Sequence, residues 1–284
     1  MPVANMNAST FQMTDAHWNL LRKSGERHKY DYGHAVIISG PAGQGGAARL
    51  AARGALRIGA GLVSVVCQSG AIAEHAAQLN AIMVKPFATA DALPQRLADI
   101  KTGAICIGPN LGLDQTAQKI LAHCLSMSLP MCLDADAISL MADITLDLPA
   151  VSNAQSVLTP HAGELRRYIP EFIDTTNSRT ALAQYAAEKA GCVVLFKGPQ
   201  TVVAAPDGRA AIVSSSDRHD TGWLATAGSG DVLAGFVTGL LARGLDAFDA
   251  ATIATELHFC CADQFGSGLI AEDIPEMLPR VLRR

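Results

Sequence analysis

The sequence predicts an α/β domain: a mostly parallel central sheet with helices on both faces and antiparallel strands at one edge. Three observations predict it. Short apolar runs alternate along the chain with longer helical patterns, the rhythm of βαβ units and of parallel strands. Those runs are apolar throughout rather than every second residue, as in strands covered on both faces. The last three runs are separated only by short turns, one of them Pro206-Asp207-Gly208, as in hairpins added to a parallel sheet.

Taken in order, residues 1–27 read as an N-terminal extension with a first helix, and residues 28–284 as the domain proper. Residues 35–39 are short, β-branched and followed by glycines, which is a strand signal. Residues 47–58 read as a helix that Gly59-Ala60-Gly61 ends, and residues 62–67 as the next strand. Further strands are expected at 104–107, 131–133, 156–159, 193–197, 201–205 and 210–214. Helical patterns are clearest at 115–127 and 177–190, and the final third is helical. On residues 229–243, Val232, Leu233, Phe236, Val237, Leu240 and Leu241 form one stripe. Gly235 and Gly239, four apart, allow this helix to approach a neighbour closely. Near the C-terminus Asp273 and Glu276 fit a capping pair. An apolar face of Ile274, Met277, Leu278, Val281 and Leu282 follows, and Pro279 should kink that helix.

Composition excludes several function classes. An apolar fraction of 49% against 17% charged residues describes a folded core, not a disordered chain. The net charge is −4, and no Lys/Arg run is longer than a short pair such as Arg166-Arg167, so no nucleic-acid surface is expected. The seven cysteines contain no C-x-x-C pair and sit mostly in apolar runs. They read as small buried hydrophobes in a reducing, cytoplasmic setting. The N-terminus lacks the apolar core of a signal peptide, and no run reaches membrane-spanning length. The eight histidines show no metal-ligand spacing.

Chemistry concentrates in loops that follow strands. Thr226-Ala227-Gly228-Ser229-Gly230-Asp231 runs straight into the striped helix. Small residues at a helix start expose backbone N–H groups to an anion. A carboxylate there, Asp231, repels that anion unless it has work, such as taking a proton from an attacking hydroxyl. The bland reading makes Asp231 a first-turn helix residue and the glycines a turn. Gly40 to Ala47 matches neither a dinucleotide fingerprint nor a Walker A loop, and reads as a glycine-rich wall against a ligand. Gly108-Pro109-Asn110-Leu111-Gly112, Asp134-Ala135-Asp136 and Pro160-His161-Ala162-Gly163-Glu164 each stand just past a strand. In an open α/β sheet such loops converge on one crevice. Singly, each also reads as a polar turn with a capping side chain. Lys197, between two strands, reads either as a phosphate ligand or as a solvated hairpin lysine.

These motifs, together with His28-Lys29, Gly33-His34, Gly59-Ala60-Gly61-Leu62-Val63 and Lys197-Gly198, occur in one order along nearly the whole chain. In that order the sequence resembles the ADP/ATP-dependent NAD(P)H-hydrate dehydratases, which have a ribokinase-like, three-layer αβα fold. The resemblance implies a repair enzyme, a hydro-lyase that dehydrates (S)-NADHX and (S)-NADPHX to NADH and NADPH while ADP or ATP is consumed, with Mg2+ present. It assigns Lys197, Gly198, Pro199, Gln200, Thr201 and Gly230 to the adenine nucleotide, and Ala47, Gly112, His161 and Asp231 to the hydrated dinucleotide. Asp231 is the implied base, and Gly228, Ser229 and Gly230 line the implied anion hole. No protein metal cage is expected. Implied partners are small molecules and a separate NAD(P)H-hydrate epimerase, since the epimerase domain fused in some relatives is absent here; a homo-oligomer is expected, without nucleic acid or membrane. A vitamin-precursor kinase of the same fold, or a nucleotide sensor without turnover, are the alternatives. The chain departs from the family pattern at Asn110, in residues 214–224 and at Phe259, where the family often carries glycine.

Overall fold

The computed structural model describes residues 8–151 and 153–283. The first seven residues of the expected N-terminal extension, and Arg284, lie outside it. The strands are β1 (Ser9–Thr10), β2 (His34–Ile38), β3 (Leu62–Gln68), β4 (Met83–Phe87) and β5 (Ala104–Ile107). They continue as β6 (Met131–Leu133), β7 (Val157–Leu158), β8 (Val193–Phe196), β9 (Gln200–Ala204) and β10 (Ala210–Ser214). All join one sheet in the order β1-β10-β9-β8-β7-β6-β5-β2-β3-β4. Only the β8–β9 and β9–β10 pairings are antiparallel, so β9 alone runs against the rest. The expected hairpin edge is present, and β1 extends it by pairing parallel to β10.

Helices cover both faces. One face carries α2 (Gly46–Arg57), α9 (Ser229–Ala242), α10 (Ala247–Phe265) and α11 (Asp273–Val281), with Leu21 of α1 (Asp15–Leu21) in the same core. The other carries α4 (Leu93–Asp99), α5 (Gln115–Leu125), α6 (Asp136–Met141), α7 (Ala162–Tyr168) and α8 (Arg179–Ala190). A short α3 (Ile72–Ala76) follows β3. The fold is therefore three-layered, and residues of β2, β5 and β6 feed the two cores alternately: Ala35 and Ile37 to one, Val36 and Ile38 to the other.

Strand β4 is absent from the sequence reading. It contains Lys85 and Pro86 and is only half-buried, which hides its apolar signal. Its place at the edge of the sheet tolerates a proline. The C-terminal helix corrects one expectation. Asp273 and Glu276 do not form a capping pair: Asp273 Oδ2 accepts from the Ile270 N–H, and Glu276 pairs with Arg53 and Arg57 of α2. Pro279 lies inside the helix, which continues to Val281.

Helices α9 and α2 approach each other down to the backbone. A Cβ on Gly235 would fall 2.1 Å from the Ala51 carbonyl oxygen, so the two backbones touch where a side chain should be. This contact sets how deeply α9, and with it Asp231, sits over the sheet. Gly235→Ala recovers about 1 kcal/mol of helix propensity. It must also push rigid backbone aside, at a cost of about 1–3 kcal/mol or more. The net expectation is a loss of stability in urea unfolding; a variant at least as stable as the wild type would contradict the contact.

Candidate active site

Because β2 and β5 to β8 run parallel, their C-terminal ends open on one edge of the sheet. The chain leaves β2 towards β3 on one side and returns as β5 on the other. This is the switch point at which open α/β sheets bind ligands. The loops after β2 and β5 close on each other there, with Gly40 against the carbonyl of Asn110. Asn110 has φ 49°, a left-handed conformation that asparagine tolerates better than most residues, which accounts for its place in a glycine position. Glu74 Oε2 accepts the Gly43 N–H at 2.9 Å and pins the glycine wall. Asp136 Oδ2 accepts the Gly112 N–H at 2.9 Å and pins the second loop.

Beside this crevice lies a cavity of about 350 Å3, walled by the β8–β9 turn, by residues 221–225, by the start of α9 and by Thr255, His258 and Phe259 of α10. Lys197, Gly198, Pro199, Thr201 and Gly230 line it. Gln200, the first residue of β9, is exposed, and its carbonyl accepts from Arg179. The same guanidinium takes the Phe196 and Lys197 carbonyls and lies 3.6 Å over the Phe196 ring, which fixes the turn. Thr201 Oγ1 closes it by donating to the Gly198 carbonyl.

The N-terminus of α9 faces both spaces. Gly228 caps it at φ 90° and ψ −17°, a left-handed conformation suited to glycine. Gly230 is within the helix and needs no such angle; a Cβ there would stand 3.6 Å from Lys197 Nζ. Ser229 is buried and already engaged: its hydroxyl donates to the Leu224 carbonyl at 2.6 Å, and its N–H reaches the Thr226 carbonyl at 3.4 Å. Its carbonyl accepts from His258 Nε2 at 2.9 Å. Burial pulls the imidazole of His258 down to about 4, so it serves as a neutral donor. The first-turn N–H groups of Gly230 and Asp231 lack helical carbonyl partners by geometry and suit an anion.

The charged centre sits where these parts meet. Asp134, 2% exposed, follows β6 and accepts from Thr159 Oγ1 and from Lys197 Nζ, both at 2.7 Å. Glu164, also buried, lies 3.9 Å from the same ammonium. Lys197 is thus no solvated hairpin lysine. Burial opposes its charge, but Asp134 and Glu164 outweigh that and hold it protonated. Asp231, half-buried on α9, is pushed up to about 7 by burial, with the Asp134 charge adding and Lys197 opposing. A carboxyl poised there can accept a proton near neutral pH.

His161 caps α7: its Nδ1 accepts from the Gly163 and Glu164 N–H groups, and its ring, 55% exposed, lies 3.3 Å from Glu164. Ala47 lies buried in the first turn of α2. Of the predicted residues, Lys197, Gly198, Pro199, Thr201, Ser229 and Gly230 line one cavity, while Ala47, Gly112 and His161 lie on α2, on the loop after β5 and at the cap of α7. Sequence reading left the Asp134 and Glu164 roles unassigned, although both loops stood out. His258 and Phe259, where the sequence departs from the family pattern, are walls of the cavity; Thr255 carried no sequence signal and is brought there by helix packing.

A family model described as NAD(P)H-hydrate dehydratase matches residues 35–280. The chain is 36% identical over 271 residues to the bifunctional NAD(P)H-hydrate repair enzyme Nnr of Salinibacter ruber, covering 90% of this chain and 49% of that protein. The chain spans about half the length of the curated relatives it matches. Among solved structures it resembles a ribokinase-like superfamily protein from Enterococcus faecalis, with a TM-score of 0.83, 25% identity and coverage of 97% of this chain and 95% of that one. It also resembles the ADP/ATP-dependent NAD(P)H-hydrate dehydratase of Bacillus subtilis, crystallised with ATP and Mg2+, with a TM-score of 0.81, 29% identity and coverage of 98% and 99%. The fold is ribokinase-like.

The raised Asp231 carboxyl has a consequence for stability. Between the ordinary value of 3.8 and about 7 the folded state holds a proton that the unfolded chain has lost. Stability from this group is complete at the acid end and declines as pH rises through that window, by about 1.4 kcal/mol for each pH unit crossed. Asp231→Asn should therefore be more stable than the wild type by about 2 kcal/mol or more above pH 7, and the advantage should vanish near pH 4. Paired urea unfolding curves across this range check it; an advantage independent of pH would contradict the assignment.

Proposed function

Because this chain belongs to the NAD(P)H-hydrate dehydratase family, we propose that it dehydrates (S)-NADHX and (S)-NADPHX to NADH and NADPH, using ADP or ATP. The observation that carries this reading is Asp231, a poised carboxyl at the start of α9, placed next to Lys197 where the cavity meets the crevice.

The nucleotide occupies the cavity with its phosphates towards the first turn of α9 and Lys197. The dinucleotide hydrate lies across the loops of Ala47, Gly112 and His161. Asp231 takes the proton of the substrate hydroxyl as its oxygen attacks the terminal phosphorus. A new P–O bond forms, and the bond to the ADP or AMP leaving group breaks. Phosphate then departs from the ring carbon, the neighbouring carbon releases a proton, and the double bond returns. With ATP the products are NADH or NADPH, ADP and phosphate. First-turn N–H groups of α9, fixed before the reaction, stabilise charge as it develops on the phosphoryl oxygens.

Mg2+ fits this centre as a cation carried in on the nucleotide. No group of three carboxylate, imidazole or thiol side chains among the described residues makes a cage. Lys197 neutralises Asp134, which leaves Glu164 as the buried carboxylate that would steady the ion. When bound, Mg2+ supplies charge neutralisation for phosphoryl transfer. The relatives named as bifunctional repair enzymes support an epimerase as the partner that supplies the S form. All seven cysteines are thiols, and no described helix is long and apolar enough to cross a membrane.

Recovery of the absorbance of reduced nicotinamide from hydrated NADH, with parallel phosphate release, tests the activity. A stable phosphoester instead would identify a kinase, and unchanged ligands a sensor. Asp231→Asn should bind nucleotide yet lose on the order of 100- to 10,000-fold in turnover; a variant keeping a third of the rate would sink its role. Gly230→Val places a branched side chain against Lys197 Nζ at the phosphate position. The helix should persist, because its buried stripe stabilises it. Calorimetry should show the dinucleotide hydrate still binding while nucleotide consumption stops, and full activity would remove the anion site.

A further inference from the structure

Asp134 has no part in the reaction as described, yet three observations single it out. It is almost fully buried, and one of its oxygens takes both the Thr159 hydroxyl and the Lys197 ammonium. That ammonium stands 3.6 Å from the Cβ position of Gly230, one residue before Asp231. The next residue, Ala135, is held at φ 46° and ψ −114°, a strained conformation for a residue with a Cβ. Asp136 then ties the Gly112 loop to the same turn. Strain of this kind persists only where surrounding contacts over-determine it.

We propose that Asp134 is a positioning residue of the reaction, holding the Lys197 ammonium at the seam between the two ligand spaces and setting the charge that Asp231 faces. The proposal rests on the function proposed above. Lys197 alone would be drawn fully towards the nucleotide phosphates. Asp134 keeps it within reach of both the phosphates and Asp231. The charges that act on Asp231 are Asp134 and Lys197; Glu164 on α7 pairs with Lys197, and the His258 imidazole on α10 is spent on the Ser229 carbonyl. Asp134 is the carboxylate that raises Asp231 beyond what burial does, and Lys197 is the opposing cation. A merely structural Asp134 would serve to neutralise Lys197 and leave the protonation of Asp231 unmoved.

The test is titration of 13C-labelled aspartate carboxyls by NMR in the full chain without ligands, with Asp231 assigned through Asp231→Asn. Asp134→Asn keeps the shape and the acceptor oxygen but removes the charge. The Asp231 midpoint should fall by about one pH unit. The acid limb of kcat should move to lower pH by the same amount, because the base works above its midpoint, and KM for the dinucleotide should hold. An Asp231 midpoint that stays in place overturns the proposal. Should Asp134→Asn not fold, Lys197→Gln reads the other side of the same arrangement: the Asp231 midpoint should rise once the opposing cation is gone, and an unmoved one overturns the proposal equally. The titrations need no substrate. A chain that failed to turn over hydrated NADH would refute the proposed function, while the midpoints would still decide for or against Asp134.

Discussion

A buried ammonium shared between carboxylates is the interaction on which the rest of this structure depends. Lys197 follows β8, Asp134 follows β6, and Glu164 lies in the first turn of α7, so the cluster ties three successive units of the sheet together at one edge. Breaking a buried pair by removing one partner typically costs about 3–5 kcal/mol, because the remaining charge has no water to turn to. The pair therefore acts as a fixed point. The cavity lined by Lys197 and Gly230 is built against it.

The backbone reaches that point by close approach rather than by long side chains. Gly235 lets α9 sit against α2, and Gly40 lets the first loop sit against the carbonyl of Asn110. Both contacts bring helix starts and loops to the same edge. Parallel strands then guarantee that every loop after β5, β6, β7 and β8 opens on that side. An anion arriving there meets the first turn of α9 and Lys197. A hydroxyl arriving from the crevice meets Asp231. The burial of Asp231 is unfavourable: the environment that raises its carboxyl to about 7 also weakens the fold at neutral pH.

The departures from the family pattern have physical readings. Asn110 keeps a left-handed conformation without glycine. Phe259 replaces an absent side chain with a cavity wall, and Arg218 lies 5.9 Å from its ring while pairing with Glu256. Residues 214–224 are held by that arginine and by the bond from the His219 N–H to Asp263. The divergent stretch thus packs as a wall of the cavity, anchored on α10.

Periodicity alone determined most of the fold. Continuous apolar strands and striped helices mark a two-faced parallel sheet, because burial on both sides leaves no polar alternation. The glycine-rich start of α9 and its Asp231 were equally legible, since few reasons exist to place a carboxylate beside an anion site. Other features were not. Strand β4 carries a lysine and a proline that only an edge position permits. Glu276 spends its charge on α2 rather than on its own helix, a choice made by packing. The bond from Lys197 to Asp134 spans 63 residues of chain, and Thr255 meets the cavity only because α10 packs against it. Sequence spacing encodes which face of an element is buried. Which buried charges become neighbours, and how far each is pushed from its ordinary protonation, depends on contacts between elements distant in the chain, and only the tertiary structure decided those.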